Sequence, residues 1–293
     1  CIRDSAIYVH GESDNTFNQD DFILFYGLGP HHWSVDPVSS NVSHIQNIYS
    51  DKAYYFLTID NSPGKRITTL TQPTQNSIKT INSYNDYTFH EIETRNLFAV
   101  GREWFGEDFS FENSQNFKIN FPKQLSGTNL KVKVSAATIS SLVSNMTILA
   151  NGNNLTNISF PAASISGVSS LATHRTGEGT IPSNTSEFID INITYNNNGL
   201  PSAKAYLDYI EVSGFKELKA IGNQFSFRSF EVNNTTGTVE YQIQNANNIN
   251  QVWNVSNSIS PQSIENLNSS SNIFSFKANG GTLEEYVVVN YNN

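Results

Sequence analysis

The chain holds one cysteine, one methionine and nine prolines in 293 residues, and only 15% of its residues are charged. A single Cys excludes a disulfide framework. No apolar run approaches the roughly 20 residues that a membrane-crossing helix needs, so no direct membrane insertion is expected. Basic residues are scarce: 17 Lys and Arg face 26 Asp and Glu, giving a formal net charge of −9 and a pI of about 5.1. Binding nucleic acid through bulk positive charge is thereby excluded, because phosphate contact needs a basic face. The lone Cys is residue 1, in the place of an initiator Met. A trimmed chain or fragment explains it most simply. An acylated lipoprotein cysteine is the sharper alternative, although Ala6-Ile7-Tyr8-Val9 follows without a polar tether. As a nucleophile, Cys1 would need a base held nearby, and the spacing supplies none.

Polarity comes instead from uncharged amides, with 39 Asn, while 19 Phe, 13 Tyr and 3 Trp supply core material. Apolar residues recur with period two. Phe117, Ile119 and Phe121 alternate with Lys118 and Asn120; Leu130, Val132, Val134 and Ala136 alternate with Lys131, Lys133 and Ser135. Ile189, Ile191, Ile193 and Tyr195, and then Val239, Tyr241 and Ile243, repeat the pattern. One face of each strand is thus apolar and the other polar, as in antiparallel sheets. Turn clusters separate these runs: Asn61-Ser62-Pro63-Gly64, Asn151-Gly152-Asn153-Asn154, Asn196-Asn197-Asn198-Gly199 and Asn279-Gly280-Gly281. Ala136, Ile139, Leu142, Val143 and Met146 have helical spacing, but the Ser, Thr and Asn between them compete for backbone hydrogen bonds. Residues 136–150 are therefore read as strand, turn, strand.

The fold class expected is all-β: an antiparallel, jelly-roll-like β-sandwich over residues 96–215, with β-rich segments at 1–95 and 216–293. A β-domain of roughly 80 residues has a thin core. This favours the two outer segments packing together as one further, discontinuous domain over two small separate ones.

Five features invite a chemical reading. In the acidic loop after His10, the oxygen-bearing side chains Glu12, Asp14, Thr16, Asn18 and Asp20 alternate, a donor set suited to calcium. The loop lacks an EF-hand's turning glycine and terminal Glu, and the plain alternative is a solvated turn joining Ala6–His10 to Phe22–Tyr26. The six histidines are His10, His31, His32, His44, His90 and His174. His31 and His32 are adjacent and point to opposite faces of a strand, so a surface loop is expected and no zinc. No nucleophile elbow, P-loop or dinucleotide fingerprint occurs. Trp33, Trp104 and Trp253, with Phe105 and Tyr206, could stack on sugar rings; equally, they could cover sheet edges and seams. Asn-x-Ser/Thr triplets, among them those at Asn41, Asn145, Asn157, Asn192 and Asn254, are expected by chance in so Asn-rich a chain. Apart from the calcium option, no cofactor is expected.

Particular strings are more specific than composition. HGESDNTFNQDDFILFYGLGPHHW (10–33), DKAYYFLTIDNSPGKRI (51–67), GREWFGEDF (101–109), AYLDYIEVSG (205–214) and QVWNVSNSISPQSIENL (251–267) follow one another along the chain. In that order they resemble blocks of the PorU-like sortases of the type IX secretion system, a gingipain-like cysteine peptidase family. Asn15 stands where the family usually has Gly and Asn18 where Asp is common, which weakens the calcium reading. Asn254 and Ser256 replace Asp and Thr of a Val-Trp-Asp-Val-Thr pattern. The resemblance implies export to the cell surface in association with the outer membrane of Bacteroidota. It implies removal of cargo C-terminal signals, attachment of cargo to lipopolysaccharide, and an outer-membrane barrel as partner. In the family, the catalytic His and Cys lie in a caspase-like domain C-terminal to the region matched. No catalytic residue carries over, so the chain is read as a non-catalytic docking and positioning region, with cargo C-terminal domains as further partners. A carbohydrate-binding β-sandwich at the cell surface is the alternative.

Overall fold

The computed structural model describes residues 5–59, 61, 64–97, 103–163, 172–268 and 272–291. Cys1 and the first two residues of GREWFGEDF lie outside them. Strands are the main regular structure of the described residues, which otherwise hold three short 3-10 turns. Two compact units share the chain. One comprises Val42–His44 and Asp86–Lys216; the other comprises Cys1–Asn41, Ile45–Asn85 and Glu217–Asn293. Strand Ser83–Glu91 belongs to a sheet of the first unit's sandwich.

The first unit is a two-sheet sandwich. One sheet has the order Ser114–Asn120, Phe188–Asn196, Ser144–Ala150, Asn153–Phe160. The other runs Thr173–Pro182, Asn129–Ile139, Lys204–Glu217, Ser83–Glu91. The alternating residues do what their period requires. Phe117, Ile119, Ile189, Ile191, Ile193, Met146 and Ile148 from one sheet join Leu130, Val132, Val134, Leu207, Ile210 and Val212 from the other in a single buried cluster. Each such side chain contributes about 1.5–3 kcal/mol by leaving water. The region with helical spacing is strand Asn129–Ile139, a turn, and strand Ser144–Ala150. Gly177 and Gly179 let their edge strand lie close against its neighbour: a Cβ on Gly177 would sit 2.6 Å from Ile158 Cγ1.

One irregularity bears on the site. Opposite Ser135 and Ala136, strand Lys204–Glu217 presents Tyr209 and Leu207, so Asp208 is an extra residue, a β-bulge. Inward positions accordingly switch phase, from Ala205 and Leu207 to Ile210 and Val212. Tyr206, Asp208, Tyr209 and Glu211 lie outside this inward set.

The second unit has a five-stranded sheet, ordered Gln224–Phe227, Tyr286–Val289, Gln251–Asn254, Gln262–Ile264, Thr68–Thr69. It also has a three-stranded one, ordered Ile273–Asn279, Thr238–Gln244, Lys79–Ile81. Its core is aromatic: Tyr241 stacks on Phe276 with centroids 4.9 Å apart, and Tyr286 lies edge-on to both. Strands from residues 68–81 thus pair with strands from residues 238–264. Both of these pairings are parallel, Lys79–Ile81 with Thr238–Gln244 and Thr68–Thr69 with Gln262–Ile264. The sequence reading expected antiparallel sheets throughout; strands so far apart in the chain are free of the hairpin constraint that imposes antiparallel order.

Candidate functional site

A buried polar cluster lies in the sandwich unit, around His44. Its side chain is only 5% exposed, although His is usually partly solvated. The ring donates Nδ1–H to Glu211 Oε1 at 2.6 Å and Nε2–H to Glu91. The backbone N–H of His44 donates to the same Glu211 oxygen at 2.9 Å, and Lys133 Nζ donates to Glu211 Oε2 at 3.0 Å. The imidazole stacks on Phe89 at 4.3 Å and meets Tyr209 edge-on at 4.8 Å. Burial by itself disfavours the imidazolium, but the hydrogen bonds and charges of Glu211 and Glu91 outweigh it and push the His44 pKa up to about 9. Glu211 is correspondingly held below the usual carboxylate range: burial opposes this, and the bonds from His44 and Lys133 overcome it. Glu93 moves the other way. Burial, then a hydrogen bond and repulsion from Glu91, raise it to about 7. The charged imidazolium of His44 is thereby favoured where it lies between Glu211 and Glu91, and the protonated carboxyl is favoured at Glu93 beside them.

A second polar chain runs along the same sheet. Thr176 Oγ1 donates to Ser135 Oγ at 3.2 Å, Ser135 Oγ meets His174 Nε2 at 2.6 Å, and that nitrogen meets Asp208 Oδ2 at 3.0 Å. The bulge delivers Asp208 to this position. Serine, histidine and aspartate side by side suggest a hydrolase triad, but the bonding is wrong for one. A triad uses the two ring nitrogens separately, one toward serine and one toward aspartate. Here both partners compete for Nε2, so a proton donated to Asp208 leaves no lone pair to accept one from Ser135. Ser135 is also fully buried.

The residues singled out from the sequence fare differently. Strands Ile7–His10 and Phe22–Phe25 pair antiparallel, with the acidic loop as their connection. Gly11 and Asn15 take left-handed conformations, at φ 85° and 61°. Glu12 is ion-paired with Arg66 at 2.7 Å. Asp14 accepts the Thr16 N–H and the Asn18 side-chain amide, both at 2.9 Å, and Asp21 accepts the Asn18 N–H at 2.5 Å. Those oxygens serve the turn; Thr16, Asn18 and Asp20 remain exposed. Among the described residues no three His, Cys, Asp or Glu side chains come together as a metal-binding group. His31 Nδ1 accepts the backbone N–H of Asn47 at 3.0 Å, while His32 is exposed at the start of strand His32–Asp36. His90 is bound to Glu107 at 2.6 Å, and His10 stacks on Phe22 at 4.7 Å. Trp253 cannot offer a sugar-stacking face, because it is 2% exposed in a cluster with Val255 and Val287. Phe105 and Tyr206 are likewise buried, together with Ala137. Trp33 and Trp104 are half-buried.

The sequence reading missed two features. One is the His44 cluster, whose only linear sign is the pair of acids, Asp208 and Glu211, inside the apolar run AYLDYIEV. The other is residues 53–59 of the second unit, which belong to no strand or sheet. Their backbone groups bond to none of the described residues, and only Tyr55 is anchored, its hydroxyl donating to the Leu28 carbonyl at 2.6 Å. Tyr54, Phe56, Leu57 and Ile59 are 75%, 92%, 64% and 97% exposed.

No family model matches the chain, and no curated protein matches it. Among solved structures, it is similar to dimeric latent PorU from Porphyromonas gingivalis. That match has a TM-score of 0.81 and 21% identity, and covers 98% of this chain and 27% of that one. Two carbohydrate-binding modules overlap 43% of the chain at TM-scores below 0.3. They are the CBM36-1 domain of a xylanase from the hindgut metagenome of Trinervitermes trinervoides, at 11% identity, and CBM36 in complex with calcium and xylotriose, at 13%. Along nearly its whole length, then, the chain has the fold of a part of PorU amounting to about a quarter of that protein.

Proposed function

We propose that this chain is the β-rich, non-catalytic region of a PorU-like type IX secretion sortase, and that it docks and positions the parts that do the chemistry. The observation that carries the reading is the structural match to PorU over 98% of the chain, joined to the collinear strings 10–33, 51–67, 101–109, 205–214 and 251–267. In this reading the peptidase region lies C-terminal to the segment. The exported protein works at the cell surface beside an outer-membrane barrel, on cargo carrying a C-terminal signal domain. No metal or cofactor enters the role. A surface rich in amides and aromatics and poor in charge suits packing against neighbouring protein.

The test is binding. The purified chain is immobilised and titrated separately with the peptidase region of a PorU-like sortase, with the barrel partner, and with a cargo C-terminal domain. Saturable binding to at least one supports the assignment. Absence of binding to all three refutes it.

A further inference from the structure

Exposed aromatic side chains occur at several places, and the backbone beneath them sets one place apart. Phe111 is 99% exposed, but it ends a turn whose neighbours are bonded. Phe109 N–H donates to the Ala205 carbonyl at 2.9 Å, Ser110 N–H to Asp108 Oδ1 at 2.8 Å, and Tyr195 N–H to the Asn113 carbonyl at 2.7 Å. Phe17 lies between Thr16 and Asn18, whose N–H groups are held by Asp14 and Asp21. Residues 53–59 differ. They belong to no strand, helix or turn, and none of their N–H or C=O groups bonds to another described residue. An endopeptidase grips several consecutive residues through these same groups, and a bonded segment must first open locally to offer them. At 53–59 that opening breaks no backbone hydrogen bond among the described residues. Exposed segments of this kind are where chains are nicked.

The side chains select the bond. Tyr55 is anchored, its hydroxyl donating to the Leu28 carbonyl at 2.6 Å and its ring 5.3 Å from that of Phe25. Phe56 is 92% exposed, so an apolar specificity pocket can take its ring without dislodging a neighbour. We infer that the Phe56–Leu57 bond is a processing site for a separate endopeptidase of aromatic specificity, and that the cut leaves a two-chain protein with its fold intact. Water adds across the peptide bond, leaving a carboxylate on Phe56 and an amino group on Leu57. The two pieces stay together because contacts span the cut. Ile7 N–H donates to the Lys65 carbonyl and Ile67 N–H to the Ile7 carbonyl, both at 2.9 Å, and Ala6 N–H donates to the Ile259 carbonyl at 3.0 Å. Glu12 holds Arg66 at 2.7 Å, and Tyr8, Leu24 and Tyr26 pack on Trp253, Val255 and Val287. The inference does not rest on the sortase reading.

Limited digestion of the whole folded chain with chymotrypsin, sampled over time and read by mass spectrometry, tests it. The first products should be residues 1–56 and 57–293, formed about tenfold or more faster than any cut elsewhere. They should co-elute in size exclusion as one species of the uncut mass. The variant Y54S/F56S/L57S, altered only at exposed positions, should keep its thermal midpoint and lose intact chain about tenfold more slowly. Phe111→Ser should leave the site and rate of the first cut unchanged. A first cut at any other bond, Phe111 included, overturns the inference. So do a chain that resists cleavage until it unfolds, fragments that separate in size exclusion, and a triple variant cut as fast as wild type.

Discussion

Replacing His44 by Gln tests the buried cluster where it is most exposed to refutation. Glutamine keeps a hydrogen-bonding side chain but removes the charge, leaving Glu91 and Glu211 buried without their common counterion. Breaking a buried ion pair from one side costs about 3–5 kcal/mol. The pH dependence gives a second, independent magnitude. His44 has its pKa raised from 6.5 to about 9 in the folded chain. Its contribution is therefore fully present below pH 6.5 and is lost as pH rises through 9. Between pH 7 and 10 this loss amounts to about 2–3 kcal/mol. Other groups titrate in that interval, so the quantity to read is the difference between wild type and variant. Urea unfolding at pH 7 and pH 10, fitted with separate transitions for the two units, supplies it. The sandwich transition of H44Q should lie well below wild type at pH 7, and the gap should narrow by about 2–3 kcal/mol at pH 10. A gap that is absent, or constant across the range, would show that His44 is not held as an imidazolium between Glu91 and Glu211.

Three further outcomes follow from the geometry. Gly11→Ala should destabilise the Ile7–His10/Phe22–Phe25 hairpin by about 1–2 kcal/mol or more, because the residue has φ 85° and a Cβ would lie 1.6 Å from Asp21 Oδ1; faster hydrogen exchange across 7–25 reports it, and unchanged exchange contradicts it. Ile193→Ala, on a strand paired on both sides and fully buried, should lower sandwich stability by about 2–5 kcal/mol in the same urea assay, and a loss under 1 kcal/mol would mean the core there is loose. Millimolar calcium should leave the thermal midpoint unchanged, since Glu12 is committed to Arg66 and Asp14 and Asp21 to the turn; a rise of several degrees would mean the loop rearranges around the ion.

Period-two patterning made the sandwich strands legible because each has one wet and one buried face, and Ile189, Ile191 and Ile193 could satisfy that in only one way. Residues 136–150 were decided correctly by Ser, Thr and Asn, whose side chains compete with a helix for the backbone. The parallel pairings of Thr68–Thr69 and Lys79–Ile81 were not legible. They are two and three residues long, and their partners lie more than 150 positions away. The bulge at Asp208 was hidden because inserting one residue shifts the inward phase, so AYLDYIEV keeps no single period-two alternation. His44 escaped for a related reason: its partners come from strands 47 and 167 residues distant, and no spacing rule reaches that far. Trp253 shows the converse error, an aromatic read as a possible platform that its sheet buries.

In the proposed function these strands form a platform, and bond cleavage belongs to polypeptide outside the segment. Incubating the purified chain alone with a cargo C-terminal signal peptide and reductant, and following products by mass spectrometry, tests this most directly. An intact peptide is the outcome expected. Hydrolysis that a thiol-blocking reagent abolishes would contradict the account.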